Sequence, residues 1–514
     1  MKKIFILILM SVSINYCLFS ENEITVFNGG THLLELSLYS TFFMGTTARS
    51  RSFGNTISSR LYDTHLIQLN PAGMAVAKKN MLSFDLVPGY SFDIGNLYSG
   101  LQDEVNNAVD DTIEKDESPN IEKNYPDLKT NIGQSGGINQ FGLIVNNEKY
   151  GSFGFLWNKP FYLDMNFNGN ALNFTVEDQA IKNEGTYDEY IELTILPLNM
   201  ELFSNAQISM QQSNIAWGKT LNEKIAIGTS VNFASMSMAS KLNANIGGFI
   251  RQYGGDTDIN VAFDDPNTAY RNTMNDSIDI DFKGRFIGMV FSTSWQHSEN
   301  WAFDMSISTP REKDLNGSLH IVQHTLGALK LDADDDEDTF DVELLKPAQI
   351  AYTNRTEYYS DKLKLSIPGS FAISATHQKG DRKFIFSYEK PIGELSLDYS
   401  CIRYRDGENR DTTGVFIAYA DTTNLNYKVG IKPKHIFKIA FGWTHFALSA
   451  QITLADLIAD NIKDSDGVQV KTSSIIIPGL AVGTGFNLNK NTLIDFNVIA
   501  LPSPFLRTSV TWYF

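Results

Sequence analysis

"LRTSVTWYF", residues 506–514, alternates strictly. Leu506, Thr508, Val510, Trp512 and Phe514 fall on one side of an extended chain, and Arg507, Ser509, Thr511 and Tyr513 on the other. Period-two alternation of this kind predicts a β-strand with one dry face. In water, a strand edge carrying Trp, Tyr and Phe together would be an aggregation hazard. The dry face therefore has to meet another sheet or a lipid bilayer.

The same pattern recurs along the chain. In "FKIAFGW" (437–443), Phe437, Ile439, Phe441 and Trp443 oppose Lys438, Ala440 and Gly442. In "WAFDMSIS" (301–308), Trp301, Phe303, Met305 and Ile307 oppose Ala302, Asp304, Ser306 and Ser308. "LSLDYS" (395–400) and "IDFNV" (494–498) follow suit, with Leu395, Leu397 and Tyr399 on the dry face of the first. A soluble sandwich would bury such faces between two sheets. A transmembrane barrel would turn them to lipid and keep the polar face in its lumen.

Three features choose the barrel. Many segments run about ten residues, enough to cross a bilayer at a tilt. Aromatic residues gather at strand ends, as interfacial girdles do. Connections alternate between tight turns, such as "NNEK" (146–149), "LNEK" (221–224), "HSEN" (297–300), "KGDR" (379–382) and "LNKN" (487–490), and long polar stretches near 100–137, 243–280, 323–362 and 455–474. Short turns on one side and long, acidic extracellular loops on the other fit an antiparallel all-β transmembrane barrel. Thirteen to sixteen strands are countable, and even numbers rule in single-chain bacterial barrels, so about 14 is the expectation.

The N-terminus predicts export. Lys2 and Lys3 precede an apolar run from Ile4 to Ile14, too short to span lipid. Residues 1–20 read as a signal peptide cleaved after Ser20, which places the protein in the outer membrane of a diderm bacterium. Losing them removes two lysines and no acid, leaving 40 basic against 59 acidic side chains, a net charge of −19. Such a chain repels nucleic acid. Cys401 would be the one remaining cysteine, so no internal disulfide forms.

The C-terminal residues resemble the assembly signal read by the barrel-assembly machinery. A final Phe514 with Trp512 two places earlier fits, while Ser509 stands where glycine is usual, and Arg507 completes the polar side.

"NPAGMA" (70–75) resembles the Asn-Pro-Ala motif of the FadL/OmpP1/TodX family of outer-membrane long-chain fatty acid and hydrocarbon transporters. Segments 214–233, 281–309 and 367–390 resemble that family's strand pairs in the same order, with Trp295 and His377 where a strand-ending Tyr is usual. The acidic stretch 97–118 is also similar to a sister group of TraF-like barrels. The resemblance implies a 14-stranded barrel at residues 80–514, its lumen plugged by an N-terminal hatch at residues 21–79. It carries Asn70, Pro71 and Ala72 over as the hatch motif. It further implies passive uptake of a long-chain fatty acid or other hydrophobic ligand by a monomer, with release sideways through the wall into outer-membrane lipids.

Turn chemistry is compatible with that role. Pro71 fixes φ and biases Asn70 away from helix, Asn70 can bond nearby backbone, and Gly73 tolerates conformations that other residues resist. Pro197, inside the strand-like run "IELTILPLNMELF", marks a place where the wall could kink.

Other motifs are weaker. Asp332, Asp334, Asp336 and Glu343 take EF-hand positions, but Glu337 occupies the position that needs glycine, so a solvated acidic loop is expected and no metal site. Leu101, Val105, Val109 and Ile113 would line one face of a short helix. His320 and His324 would lie about 13 Å apart on a strand, too far to share a catalytic step. G-x-S-x-G, HExxH, P-loop and Cys-x-x-Cys motifs are all missing, so neither catalysis nor a cofactor is expected. The alternative function is a non-transporting barrel, structural, adhesin-like or secretion-associated.

Overall fold

In a computed structural model, the chain closes into a ring of fourteen antiparallel strands. The structure describes residues 47–514 except 88–89, 94–121, 125–127, 135–136, 183–189, 254–258, 263–273, 327–328, 335–338, 345–352, 411–415, 444, 461–473 and 502–504. The strands are β1 (Met81–Val87), β2 (Gly137–Asn147), β3 (Gly151–Lys182), β4 (Tyr190–Thr220) and β5 (Ile225–Tyr253). Next come β6 (Met274–Gln296), β7 (Trp301–Ser308, resuming at Arg311–Leu326), β8 (Thr353–Ile367, resuming at Gly369–Lys379) and β9 (Arg382–Ile392, resuming at Leu395–Arg410). The ring ends with β10 (Phe416–Trp443), β11 (Phe446–Asp460), β12 (Ser474–Asn489), β13 (Thr492–Leu501) and β14 (Phe505–Tyr513). Each strand pairs with its sequence neighbour, and β14 pairs with β1 from Met81↔Tyr513 to Leu86↔Thr508. Pairing of the last strand with the first removes the edges that an open sheet would expose.

Near the tight turns the barrel is dry outside and polar inside. Along β7, Trp301, Phe303, Met305 and Ile307 are exposed, while Ala302, Asp304 and Ser306 are buried. On β14, Leu506, Trp512 and Phe514 point out, while Arg507, Ser509 and Thr511 are buried. This inverted pattern is that of a wall bathed in lipid. Aromatic rings gather at the turn end, where Trp301 stacks on Phe303 (ring centroids 6.1 Å) and Trp512 lies 5.1 Å from Phe514. Met305 sits midway along this belt. Met305→Arg should cost about 2–4 kcal/mol, read as a lowered urea midpoint in refolding into vesicles.

Further from the turns the polarity exchanges sides. On β6, Ile287, Met289 and Phe291 face outward, but the next outward positions are Arg285, Lys283, Asp281 and Asp279. Over the same span the inward side chains become Phe286, Phe282, Ile280 and Ile278. On β10 the exchange falls at the register shift between Pro433 and His435. Phe437 and Ile439 point outward below it, and Tyr427, Val429 and Ile431 point inward above it. The strands thus leave the bilayer and continue as a water-exposed collar with an apolar interior.

This corrects one expectation. Leu395, Leu397 and Tyr399 are buried in the interior cluster and do not face lipid. It also moves loop boundaries. The stretch 243–280 is strand at both ends, with Asn243 paired to Ser277. Among the described side chains there, Asn243 and Asp279 are on the exposed side of their strands. Of the acidic stretch 331–343, residues 331–334 and 339–343 belong to two antiparallel strands, Leu329–Asp334 and Thr339–Leu344, in a sheet separate from the barrel's, and 335–338 lie outside the described residues. Residues 97–118 lie outside the described residues, as do 1–46, so neither the short helix nor the signal peptide is addressed.

Candidate functional site

Residues 47–77 lie inside the ring at its short-turn end. They form α1 (Ala48–Ser52), a 3-10 turn (Ser59–Leu61), α2 (Leu66–Leu69) and α3 (Pro71–Ala77). α1 packs on β11 to β14, and α3 packs on β2 to β6, across the lumen. Leu66, Ile67 and Met74 are fully buried against Ile144, Leu156 and Ala216 of the wall. Small residues let these short helices approach. A Cβ on Gly154 would stand 2.7 Å from both Ile67 and Met74.

Asn70 to Gly73 form one device at the head of α3. Asn70 is the N-cap, its side-chain oxygen accepting from Gly73 N at 3.3 Å, and Pro71 takes the first helical position, where a missing N–H costs nothing. The stretch is therefore a helix start rather than an isolated turn. The φ of Gly73 is not positive. Its role is space, since a Cβ there would meet Ser59 Cα at 3.1 Å and Leu66 at 2.9 Å.

The other side of Asn70 grips the wall. Its Nδ2 donates to Ile57 O (2.7 Å), Asp304 Oδ1 (3.1 Å) and Ser294 Oγ (3.3 Å). Asp304, on the polar face of β7, also accepts from Ser294 Oγ (2.6 Å) and from Ser59 N (3.0 Å). Ala72 N donates to Ser292 Oγ (2.8 Å), and Ser306 Oγ donates to Leu69 O (2.8 Å). Asp304, Ser292 and Ser294 are functional candidates that sequence reading missed. An acid alone on the lumen face of "WAFDMSIS" was the available signal, because a buried carboxylate needs donors.

Similar ties run around the lumen. Arg60 donates to Glu299 O (2.6 Å) and Ser298 O (2.8 Å) in the β6–β7 turn. Lys383 and Lys438 donate to the carbonyls of Arg60 (2.6 Å) and Asn55 (3.3 Å). Ser58 bonds Thr376 (2.7 Å), Asn497 donates to Ser52 (3.1 Å), and Gln140 donates to Thr64 (3.1 Å). Burial works against ionising Asp63, yet His65, a hydrogen bond from Thr47 and the Arg49 charge together hold its carboxyl below the ordinary carboxylate range.

The remaining sequence-selected residues are scattered. Arg507 points inward and bonds Asp85 of β1 at 2.8 Å, and Ser509 is buried beside it. Trp512 and Phe514 point outward. Pro197 lies opposite Thr175 of β3, far along β4 from the turn end. None of these joins the Asn70 cluster.

Beyond residues 47–77 the lumen changes character in two steps. A polar layer comes first: Asn232 donates to Gln212 (3.0 Å) and Asn214 (2.7 Å) and accepts from Arg311 (2.8 Å). Above it the walls of β4 to β10 turn apolar, with Met210, Met236, Met238, Phe282, Phe286, Leu315, Leu363 and Leu397 in one cluster.

No protein-family model matches the sequence, and neither does any curated protein. The structure is similar to several solved ones. These include the CymD monoaromatic hydrocarbon channel (11% identity, 92% of this chain and 97% of that one, TM-score 0.37) and the toluene transporter TbuX of Ralstonia pickettii (12%, 92% and 98%, 0.38). A FadL homologue of Pseudomonas aeruginosa is similar at 11% identity over 91% of this chain and 96% of that one, with a TM-score of 0.42.

Proposed function

We propose that this protein is an outer-membrane channel for passive uptake of hydrophobic small molecules such as long-chain fatty acids, with residues 21–79 as its hatch. One observation supports the reading: the collar interior is apolar, and at the other end residues 47–77 are tied to the lumen wall through hydrogen bonds. An apolar ligand gains about 25 cal/mol per Å² on leaving water for the collar. Further passage requires the Asn70–Gly73 helix start to shift, and release is sideways through the wall into the bilayer. The protein reaches the membrane through a cleaved signal peptide and the barrel-assembly machinery, and it works as a monomer.

Asn70→Ala tests the gate. It removes an N-cap worth about 1 kcal/mol and a hydrogen bond to a carboxylate worth about 1.5–3 kcal/mol. Hydrogen exchange of amides 57–77 should rise on the order of tenfold to a hundredfold, and uptake of labelled palmitate into proteoliposomes should change with it. Unaltered uptake through a correctly folded barrel would remove the gating role.

The tight packing of the collar interior favours a second reading, a non-transporting barrel. Leu365 and Phe282 are 0% and 1% exposed. Mass spectrometry of ligand retained after the outer-wall lipid has been exchanged for detergent separates the two, since a barrel with a solid core retains none.

A further inference from the structure

The lipid-facing belt ends in basic residues. Going from the tight turns toward the collar, the first charged side chain on the outer face beyond the apolar run is Lys159 on β3, Lys241 on β5, Arg285 on β6, Lys364 on β8, Lys390 on β9 and Lys434 on β10. On β7 and β11 it is Glu312 and Asp456. The whole chain holds 42 basic against 59 acidic side chains, so cations gather at this level against the composition. The apolar belt fixes where the bilayer lies, and its upper border is where lipid head groups meet the wall. Lys159 shows the geometry, its ammonium 5.6 Å from the ring centroid of the lipid-facing Trp157.

The cations are densest on β9 to β11. The register shift between Pro433 and His435 makes Lys434 an extra residue, so Lys434 and His435 both turn outward. Lys432 faces the same side, directly opposite Asp456. Glu389 pairs with Ile436, so Lys390 and His435 are the next positions along the two strands. Lys390, Lys432 and Lys434 thus share one patch of outer wall. Lys434 pairs with Asp456 at 2.7 Å, and the neighbouring Glu394 is taken by Lys428. Among the described residues, neither Lys390 nor Lys432 makes an ion pair.

On the turn side of this patch the wall becomes aromatic and then aliphatic. Tyr388 Oη lies 2.9 Å from His435 Nδ1, and its ring packs on Phe437 with centroids 5.3 Å apart. Phe437 pairs with Ile452, and both are exposed, as is Ile439.

We propose that the outer wall at β9 to β11 holds an anionic, phosphate-bearing lipid of the surrounding leaflet. Its head group lies against Lys390, Lys432 and Lys434, and its acyl chains lie over Phe437, Ile439 and Ile452. The two halves of the patch identify the occupant. Ammonium groups in excess of their acids attract a phosphate as point charges, and the apolar side chains beside them take hydrocarbon. A free phosphate satisfies the first half only. The proposal concerns the outer face and holds whether or not the lumen passes a ligand.

The test is native mass spectrometry of the full chain in detergent, titrated with dioleoyl-phosphatidylglycerol and dioleoyl-phosphatidylcholine, which share acyl chains and differ in net charge. Wild type should bind the phosphatidylglycerol at least about tenfold tighter, and Lys390→Gln/Lys432→Gln/Lys434→Gln should lower that preference on the order of tenfold. Lys241→Gln/Lys283→Gln/Lys364→Gln makes the same change in charge at lysines that each have an acid partner, and it should keep the preference. Cold-gel mobility confirms that each variant folds. Equal binding of the two lipids by wild type, or an unmoved preference in the first variant, overturns the proposal. So does an equal loss in both variants, which marks a response to net charge alone. Displacement of the phosphatidylglycerol by inorganic phosphate, beyond that by chloride at equal ionic strength, marks a free-anion site and overturns the lipid assignment.

Discussion

Gly228→Leu should unseat the lumen segment and leave the barrel assembled. Gly218 of β4 and Gly228 of β5 are directly paired and both face inward. A Cβ on Gly218 would collide with the Pro71 carbonyl oxygen, and one on Gly228 with Ala72 N and the Pro71 carbonyl carbon. Both collisions are with backbone, so no rotamer relieves them, and the strain should reach or exceed the usual 1–3 kcal/mol of overpacking. The ring is continuous through both strands, while α3 has only seven residues, so the helix should yield. Its displacement would also break the bonds from Ala72 to Ser292 and from Asn70 to Asp304. Planar-bilayer recording should then show a larger current than wild type, and protease should cut within 57–77. Thr229→Leu, at the neighbouring outward position, controls for strand disruption. A folded Gly228→Leu barrel with wild-type current and protease resistance would show that this contact does not hold the lumen segment in place.

Much of the wall was legible from alternation, because side-chain period two is independent of what lies beyond the chain. Alternation reveals which face is dry, but not whether that face meets lipid or the interior. On "FKIAFGW" the dry face meets lipid, and on "LSLDYS" it meets the interior, because β9 has by then left the bilayer. The same exchange made exposed polar positions such as Asn243 and Asp279 look like loop. The Asn-Pro motif was visible as punctuation, and its helix-capping geometry could have been anticipated from Pro at the first helical position followed by Ala, Gly, Met and Ala. Its partner could not. Asp304 is 234 residues away, and a contact at that range depends on closure of the ring. The glycine seat was hidden for a related reason: Gly218 and Gly228 look like ordinary strand glycines until a helix is placed against them.

Asp85→Asn should be the most destabilising single change at the barrel seam. Asp85 and Arg507 are both fully enclosed, at 0% and 2% exposure, and join β1 to β14 where the ring closes. Removing one partner of such a pair leaves an uncompensated buried charge, worth about 3–5 kcal/mol. The two partners are not equivalent. Arg51 of α1 also lies within the field of Asp85 and of Arg507. Losing the carboxylate leaves two guanidinium groups facing each other, whereas Arg507→Gln leaves Asp85 with Arg51. Urea unfolding in vesicles should therefore rank wild type above Arg507→Gln, and Arg507→Gln above Asp85→Asn. The double variant should lie well above the sum of the single losses, because residues in direct contact are coupled. Single variants within about 0.5 kcal/mol of wild type would mean that water reaches the pair. The experiment also separates two roles of Arg507. If Arg507→Gln slows assembly in cells beyond what its unfolding free energy explains, the residue acts in recognition of β14 as well as in the seam. If assembly follows stability alone, the seam accounts for it.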